Sequence, residues 1–284
     1  MAEKDEIYPL ARDGVESARL NDQHKIITDL VGGVIDSSIP LSKIHAVADV
    51  GTGTGIWLHD AKSLLATSSP NPNRYFHGFD ISAAQFPPST TNFEFSVQDI
   101  LRPFPPQHHN RYDLVYVRML VSVLSAADYA TAVANLLQIL EPGGYIQWVE
   151  LDSSAWDNTP YPADPRPSLI LRTWLPFFDV NSLSKCPPAT IQGAFQAAKL
   201  HDITIRSYPM RENMAMRERA QNWQLQAFGA VMAVLLLKAG VVGDMDEAKG
   251  RAAEAIKGLE GWFSEGNLLD LRFGTVVGRK SKAE

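Results

Sequence analysis

At about 150 residues per domain, a chain of 284 residues holds one large domain or two small ones, and 45% hydrophobic with 20% charged residues excludes wholesale disorder. A net charge of −6 supplies no basic excess for gripping nucleic-acid phosphates. The single cysteine excludes an internal disulfide and points to a reducing, cytoplasmic setting.

The first ten residues, MAEKDEIYPL, lack the apolar core of a secretory signal. Helical spacing of Ala18, Leu20, Ile26, Ile27, Leu30 and Val31 predicts a helix over 15–34, stopped by Gly32-Gly33. IHAVADV (44–50) reads as a buried strand that runs into GTGTG, and a helix over 57–65 ends at SSPNPN. Strands follow at 75–80 (YFHGFD) and 93–97 (FEFSV), then a Pro-rich loop, a strand at 112–117 (YDLVYV), a helix over 129–140, the turn EPGG and a strand at 145–151 (YIQWVEL). Strands alternating with helices imply βαβ units and a parallel sheet covered on both faces, an α/β architecture.

Beyond residue 151 the rhythm changes. The stretch 152–188 is rich in Pro, Trp and Phe and reads as an inserted, partly helical lid. A helix over 191–200, a strand over 202–208, helices over 217–239 and 246–261, and a strand over 271–277 complete the chain. The last two strands are expected as a polar, antiparallel edge pair. The most apolar stretch, 225–242, contains Gln226 and Lys238, so it predicts a buried or interface helix, with a homodimer surface one use for it, and no membrane span. With no linker visible, the reading is a single domain: an N-terminal helical extension (1–43), a ligand-binding core (44–151), and lid helices with the final strands on the substrate side (152–284).

The informative motif is Asp49-Val50-Gly51-Thr52-Gly53-Thr54-Gly55-Ile56, a strand ending in alternate glycines and opening into a helix. Such a turn lets backbone N–H groups approach a ligand closely. The dinucleotide fingerprint G-x-G-x-x-G would need glycine at position 56, where Ile56 stands, and no Gly-Lys-Ser/Thr follows for a triphosphate loop. Asp80 ends the next strand, placed to accept hydrogen bonds from both hydroxyls of a ribose. Asp99 ends the third and suits an exocyclic purine amine. Three successive strand ends carry what a nucleoside needs.

On these residues the chain resembles the class I S-adenosylmethionine-dependent methyltransferases. VADVGTGTG is similar to their first motif, HGFDIS to the acidic motif, QDI to the adenine motif, and YDLVYVRML with LLQILEPGGYIQWVE to the segments of the fourth and fifth strands. RLNDQHKIITDLVGG and the helical tail resemble fungal secondary-metabolite methyltransferases, a group with regulator-like members. The resemblance implies a Rossmann-like seven-stranded sheet, mostly parallel with an antiparallel last strand, and S-adenosyl-L-methionine as cofactor. It assigns Asp49, Gly51, Thr52, Gly53 and Gly55 to the methionine moiety, and Asp80, with Ser82 beside it, to the ribose. Ile81 then covers the adenine, Asp99 and the Ile100 backbone meet its edge, and Val117 and Arg118 lie at the methionine end, Arg118 facing the carboxylate.

Methyl transfer from a sulfonium is an in-line displacement with a neutral leaving group, so the protein's task is alignment in a dry pocket, aided by a base where the acceptor needs one. His24, Glu150 and Asp152 are the candidate bases; His24 has an ordinary pKa near 6.5, and Glu150 ends the fifth strand, where such sheets place ligands. Met119, Trp156, Trp174, Phe178, Trp223 and Phe228, with Phe177, are candidates for a pocket that takes a flat, apolar small molecule. Adjacent His108-His109 do not converge as metal ligands, and Cys186 reads as a bystander, so no metal is expected. The function read here is methyl transfer to O, N or S of an aromatic or polycyclic natural product. Two others stay open: a methyltransferase-like regulatory protein, and an enzyme that retains the cofactor while catalysing a rearrangement or cyclisation.

Overall fold

The computed structural model describes residues 12–88, 92–156 and 164–282. The first ten residues, and 157–163 within the expected lid, lie outside these. Seven strands, β1 (Ala46–Val50), β2 (Tyr75–Asp80), β3 (Glu94–Val97), β4 (Tyr112–Arg118), β5 (Leu140–Asp152), β6 (His201–Pro209) and β7 (Arg272–Arg279), form one sheet in the order β3-β2-β1-β4-β5-β7-β6. Strands β3 through β5 are parallel, and β7 runs antiparallel to both neighbours. The order reverses between β1 and β4, the crevice in which open α/β sheets bind ligands.

One expectation is corrected. β6 and β7 do pair antiparallel at one end of the sheet, with β6 outermost, but β7, flanked by β5 and β6, is buried rather than polar. Phe273, Val276 and Val277 of β7 are buried, and Gly274 and Gly278 leave room for Pro188 and Phe195 pressing on the strand. The glycines that made the segment look weakly apolar are packing sites for a helix.

The helices are α1 (Gly14–Leu30), α2 (Ile56–Ser68), α3 (Asp128–Ile139), α4 (Ser168–Val180), α5 (Pro187–Ala197), α6 (Arg217–Lys238) and α7 (Met245–Ser264). Asp13 caps α1 by accepting from Glu16 N–H at 2.9 Å, and the helix stops at Leu30, four residues short of expectation. α5 starts earlier than expected because Pro187 and Pro188 fit a first helical turn.

Alternation along each strand divides the core into two layers. Val47, Trp57, Tyr116, Val149 and Leu151 belong to the layer under α1, α2, α4, α6 and α7. Ala48, Val50, Val117, Trp148 and Tyr129 belong to the layer under α3 and α5. In the first, Trp57 stacks on Tyr116 at 3.8 Å, anchoring α2 to the sheet. α6 packs against α7, α4 and α1, which buries Phe228, Met232, Leu235 and Leu236 of the apolar stretch. Among the described residues no helix is long and apolar enough to cross a membrane.

Candidate functional site

The glycine loop is wound tightly. Gly51, Gly53 and Gly55 have φ of +76°, +52° and +73°, the left-handed region that disfavours a Cβ. Gly51 N–H and Thr52 N–H both donate to the Phe79 carbonyl, at 2.8 and 3.0 Å. Thr52 Oγ1 donates to buried Asp49 at 2.7 Å, and burial pushes the Asp49 carboxyl up to about 7 against the pull of Thr52 and Arg118.

Asp80 stands at the mouth of this loop. Its Oδ2 accepts from Gly53 N–H at 2.9 Å and its Oδ1 from Ser82 N–H at 3.1 Å, and burial raises its pKa. A carboxylate oxygen accepts more than one hydrogen bond, so both remain able to receive ribose hydroxyls. Next to it Ile81 is 60% exposed, a large apolar side chain left uncovered beside the strand ends. Asp99 holds Leu101 N–H at 2.9 Å, and the Ile100 carbonyl accepts from Asn135 at 2.9 Å. Val117 is buried in the α3-side layer, so only its main chain is available at the strand end. A left-handed glycine turn, a strand-end carboxylate and an uncovered aliphatic face fit an adenosine-bearing cofactor.

Arg118 and His24 meet. Arg118 Nη1 donates to His24 Nδ1 at 2.9 Å, and His24 Nε2 pairs with Asp60 at 2.8 Å. Arginine only donates, so the ring carries its proton on Nε2 and gives it to Asp60. Burial, with the Arg118 charge, pushes the His24 pKa down to about 4. Both ring nitrogens are engaged, and the lone pair a base would use faces Arg118.

Glu150 is fully buried near the end of β5 and holds a backbone donor. Alternation puts it on the Trp148 face of β5, under α3 and away from the aromatic lid. Its Oε1 accepts from Leu120 N–H at 2.6 Å and from Trp148 Nε1 at 3.1 Å; Oε2 is buried without a partner among the described residues. Burial pushes its pKa up to about 7. It braces the turn after β4, where Met119 is held at φ +57°. Asp152 caps Ser154 N–H at 2.9 Å.

A cavity of about 100 Å³ opens beside the loop. Met119, Trp174, Trp223 and Phe228 line it, as does Phe177. Trp156 and Phe178 do not; they back the wall, Trp156 against Phe228 at 6.2 Å and Phe178 against Trp174 at 4.9 Å. The cavity adjoins the glycine turn through two elements. Leu20, one of its lining residues, lies 3.6 Å from where a Cβ on Gly53 would stand, and Leu120, next to Met119, 3.3 Å from one on Gly51. α1 is tied down here by Thr54 Oγ1 donating to Asn21 at 2.7 Å.

Arg19 and Gln23 also line the cavity and were missed as site residues. A signal existed. Glu16, Arg19 and Gln23 recur at helical spacing on the stripe continued by Ile26, Ile27 and Leu30, so they are polar groups on a buried face. His108 and His109 bond Tyr112 and the Phe104 carbonyl respectively.

Residues 47–144 match the family model described as "Methyltransferase domain". A methyltransferase of a Penicillium species, grgD, is 44% identical over 160 residues, covering 54% of this chain and 55% of that protein. The N-methyltransferase sirN of Leptosphaeria maculans is 33% identical over 177 residues, covering 61% and 60%. The chain thus spans little more than half the length of these relatives. Among solved structures, a Haemonchus contortus phosphoethanolamine N-methyltransferase complex shares the fold at a TM-score of 0.54 and 11% identity, covering 96% of this chain and 58% of that one. The cyclopropane synthase MmaA2 of Mycobacterium tuberculosis shares it at 0.52 and 12%, covering 91% and 84%. The fold and strand-end site define a Rossmann-like nucleoside-cofactor domain. The segment 47–144 is similar to a methyltransferase domain, and the sheet that carries it has the fold of the class I S-adenosylmethionine-dependent methyltransferases.

Proposed function

We propose that the protein transfers a methyl group from S-adenosyl-L-methionine to a nitrogen atom of a small, largely apolar natural product held in the cavity beside the glycine loop. The observation that carries this reading is the shared boundary: Leu20 and the Met119–Leu120 pair flank the glycine turn and the cavity alike. When bound, the cofactor supplies an electrophilic methyl group on a sulfonium. Asp80 would accept from the ribose hydroxyls, Ile81 would cover the adenine, and Asp99 would receive its amine. Arg118, held by His24, would face the carboxylate. Leu20 and Met119 would keep water from the reacting line.

No Asp, Glu, His or Lys lines the cavity among the described residues. A phenol or alcohol would therefore find no base, whereas a neutral nitrogen presents its lone pair without one. This favours nitrogen over oxygen, as do the curated relatives named as N-methyltransferases, sirN among them. His24 and Glu150 then act as positioning residues, His24 for Arg118 and Glu150 for the turn bearing Met119. In this reading the acceptor side is built from α1 as well as from residues 152–284.

The test is incubation of purified protein with methyl-labelled cofactor and a panel of neutral amine, indolic, phenolic and thiol metabolites. Label in a nitrogen-bearing acceptor with release of S-adenosylhomocysteine is expected. Tight cofactor binding with no turnover on any acceptor would overturn it, in favour of a regulatory or cofactor-retaining role.

A further inference from the structure

We propose that Glu16, Arg19 and Gln23 make a charge-cancelled donor site in the cavity, which selects an uncharged acceptor bearing a hydrogen-bond-accepting oxygen and rejects anionic ones. This inference rests on the cavity being the acceptor site.

Arg19 donates from Nε and Nη2 to the two Glu16 oxygens, at 2.7 Å each. The pair is bidentate and its side chains are only 11% and 6% exposed, so the guanidinium charge is cancelled where it would otherwise meet a ligand. Arg19 Nη1 donates to Gln23 Oε1 at 2.9 Å, and Trp223 Nε1 donates to the same oxygen at 3.2 Å. Guanidinium and indole N–H groups cannot accept, so the amide orientation is fixed by its partners: oxygen toward Arg19 and Trp223, NH2 on the other side.

Gln23 is 5% exposed and lines the cavity, and its Nε2 donates to no atom among the described residues. This N–H is open to the cavity, so a ligand that offers an oxygen there takes up a donor that no side chain or main-chain group of the described residues uses. Apart from Arg19, Gln23 and Ser122, the walls are aliphatic, thioether or aromatic. A carboxylate or phosphate entering this space would lose its water and find the one guanidinium already neutralised. Glu16 sits at the third position of α1, where a capping-box glutamate would bond back to the cap residue; its carboxylate goes to Arg19, while Asp13 caps the helix unaided.

Three probes of one shape decide the matter: 2-naphthamide, 2-naphthoate and 2-ethylnaphthalene, titrated by ligand-observed NMR with S-adenosylhomocysteine present. The amide is expected to bind about tenfold more tightly than the other two. Glu16→Gln, which unmasks Arg19, should raise naphthoate affinity about tenfold and leave the amide nearly unchanged. Gln23→Met should weaken the amide about tenfold and leave ethylnaphthalene unchanged. S-adenosylhomocysteine affinity, measured by calorimetry, should be the same in all three proteins and doubles as the check on folding. Equal binding of the three probes, or variants that shift none of them, overturns the donor site while the cavity stands. No probe binding at all, with S-adenosylhomocysteine bound, overturns the acceptor cavity and the donor site together. Should Glu16→Gln fail to fold, the Gln23→Met comparison alone decides.

Discussion

Arg118 and His24, 94 positions apart in the chain, share a 2.9 Å hydrogen bond in which the arginine donates and the imidazole accepts. Asp60 takes the opposite edge of the ring at 2.8 Å. One neutral side chain thereby joins α1, α2 and the end of β4 beside the glycine loop.

Acid should loosen this joint. The folded His24 pKa, about 4, lies below the ordinary 6.5, so on acidification the unfolded chain takes up the proton first. Stability from this group is whole above pH 6.5 and falls as pH drops toward 4, by on the order of 3 kcal/mol. Urea unfolding of wild type and His24→Asn at about pH 7.5 and about pH 4.5 should show the wild type losing more. Equal losses would mean that the ring is not held neutral.

Asp80→Ala should weaken cofactor binding by about 1.5–3 kcal/mol, the range for hydrogen bonds to a charged group. It also frees Gly53 N–H, which the carboxylate now holds at 2.9 Å. Calorimetry with S-adenosylhomocysteine reads the loss, and unchanged affinity would remove Asp80 from the ribose role.

Gly78→Ala would place a Cβ 2.6 Å from the Phe95 ring and 2.8 Å from Thr52 Cγ2, wedging β2 away from the loop. A cost of about 1–3 kcal/mol is expected from overpacking, with weaker cofactor binding as the loop shifts. Combining it with Phe95→Leu should restore part of the thermal stability. A double variant no more stable than the single one would place the strain elsewhere.

Glu150 carries the opposite pH sign from His24. Its folded pKa, about 7, lies above the ordinary 4.5, so the native state takes up the proton first and this group's contribution declines as pH rises from 4.5 to 7. Glu150→Gln should therefore gain on wild type between about pH 5 and about pH 8, up to on the order of 3 kcal/mol. Glu150→Ala, which strands the Leu120 and Trp148 N–H groups, should cost about 2–4 kcal/mol at either pH. Chemical denaturation measures both, and a Gln variant that tracks wild type at both pH values would refute a carboxyl whose pKa burial has raised.

What the linear order of residues determined is what depends on neighbours in the chain. The bounds of β2 at Tyr75 and Asp80, the turn at Gly51 to Gly55 and the strand-end acids Asp80 and Asp99 follow from two-residue alternation, glycine freedom and the polarity of a strand tip. Folding alone decided which face each residue served. Period-two alternation says that Glu150 and Leu151 point opposite ways, but which of the two layers receives the lid depends on how α4 and α6 return to the sheet. Gln23 gained its partner Trp223 from 200 positions away, and β7 its interior place by inserting between β5 and β6. Such pairings are set by packing distant segments, a cooperative choice that no window of local sequence contains.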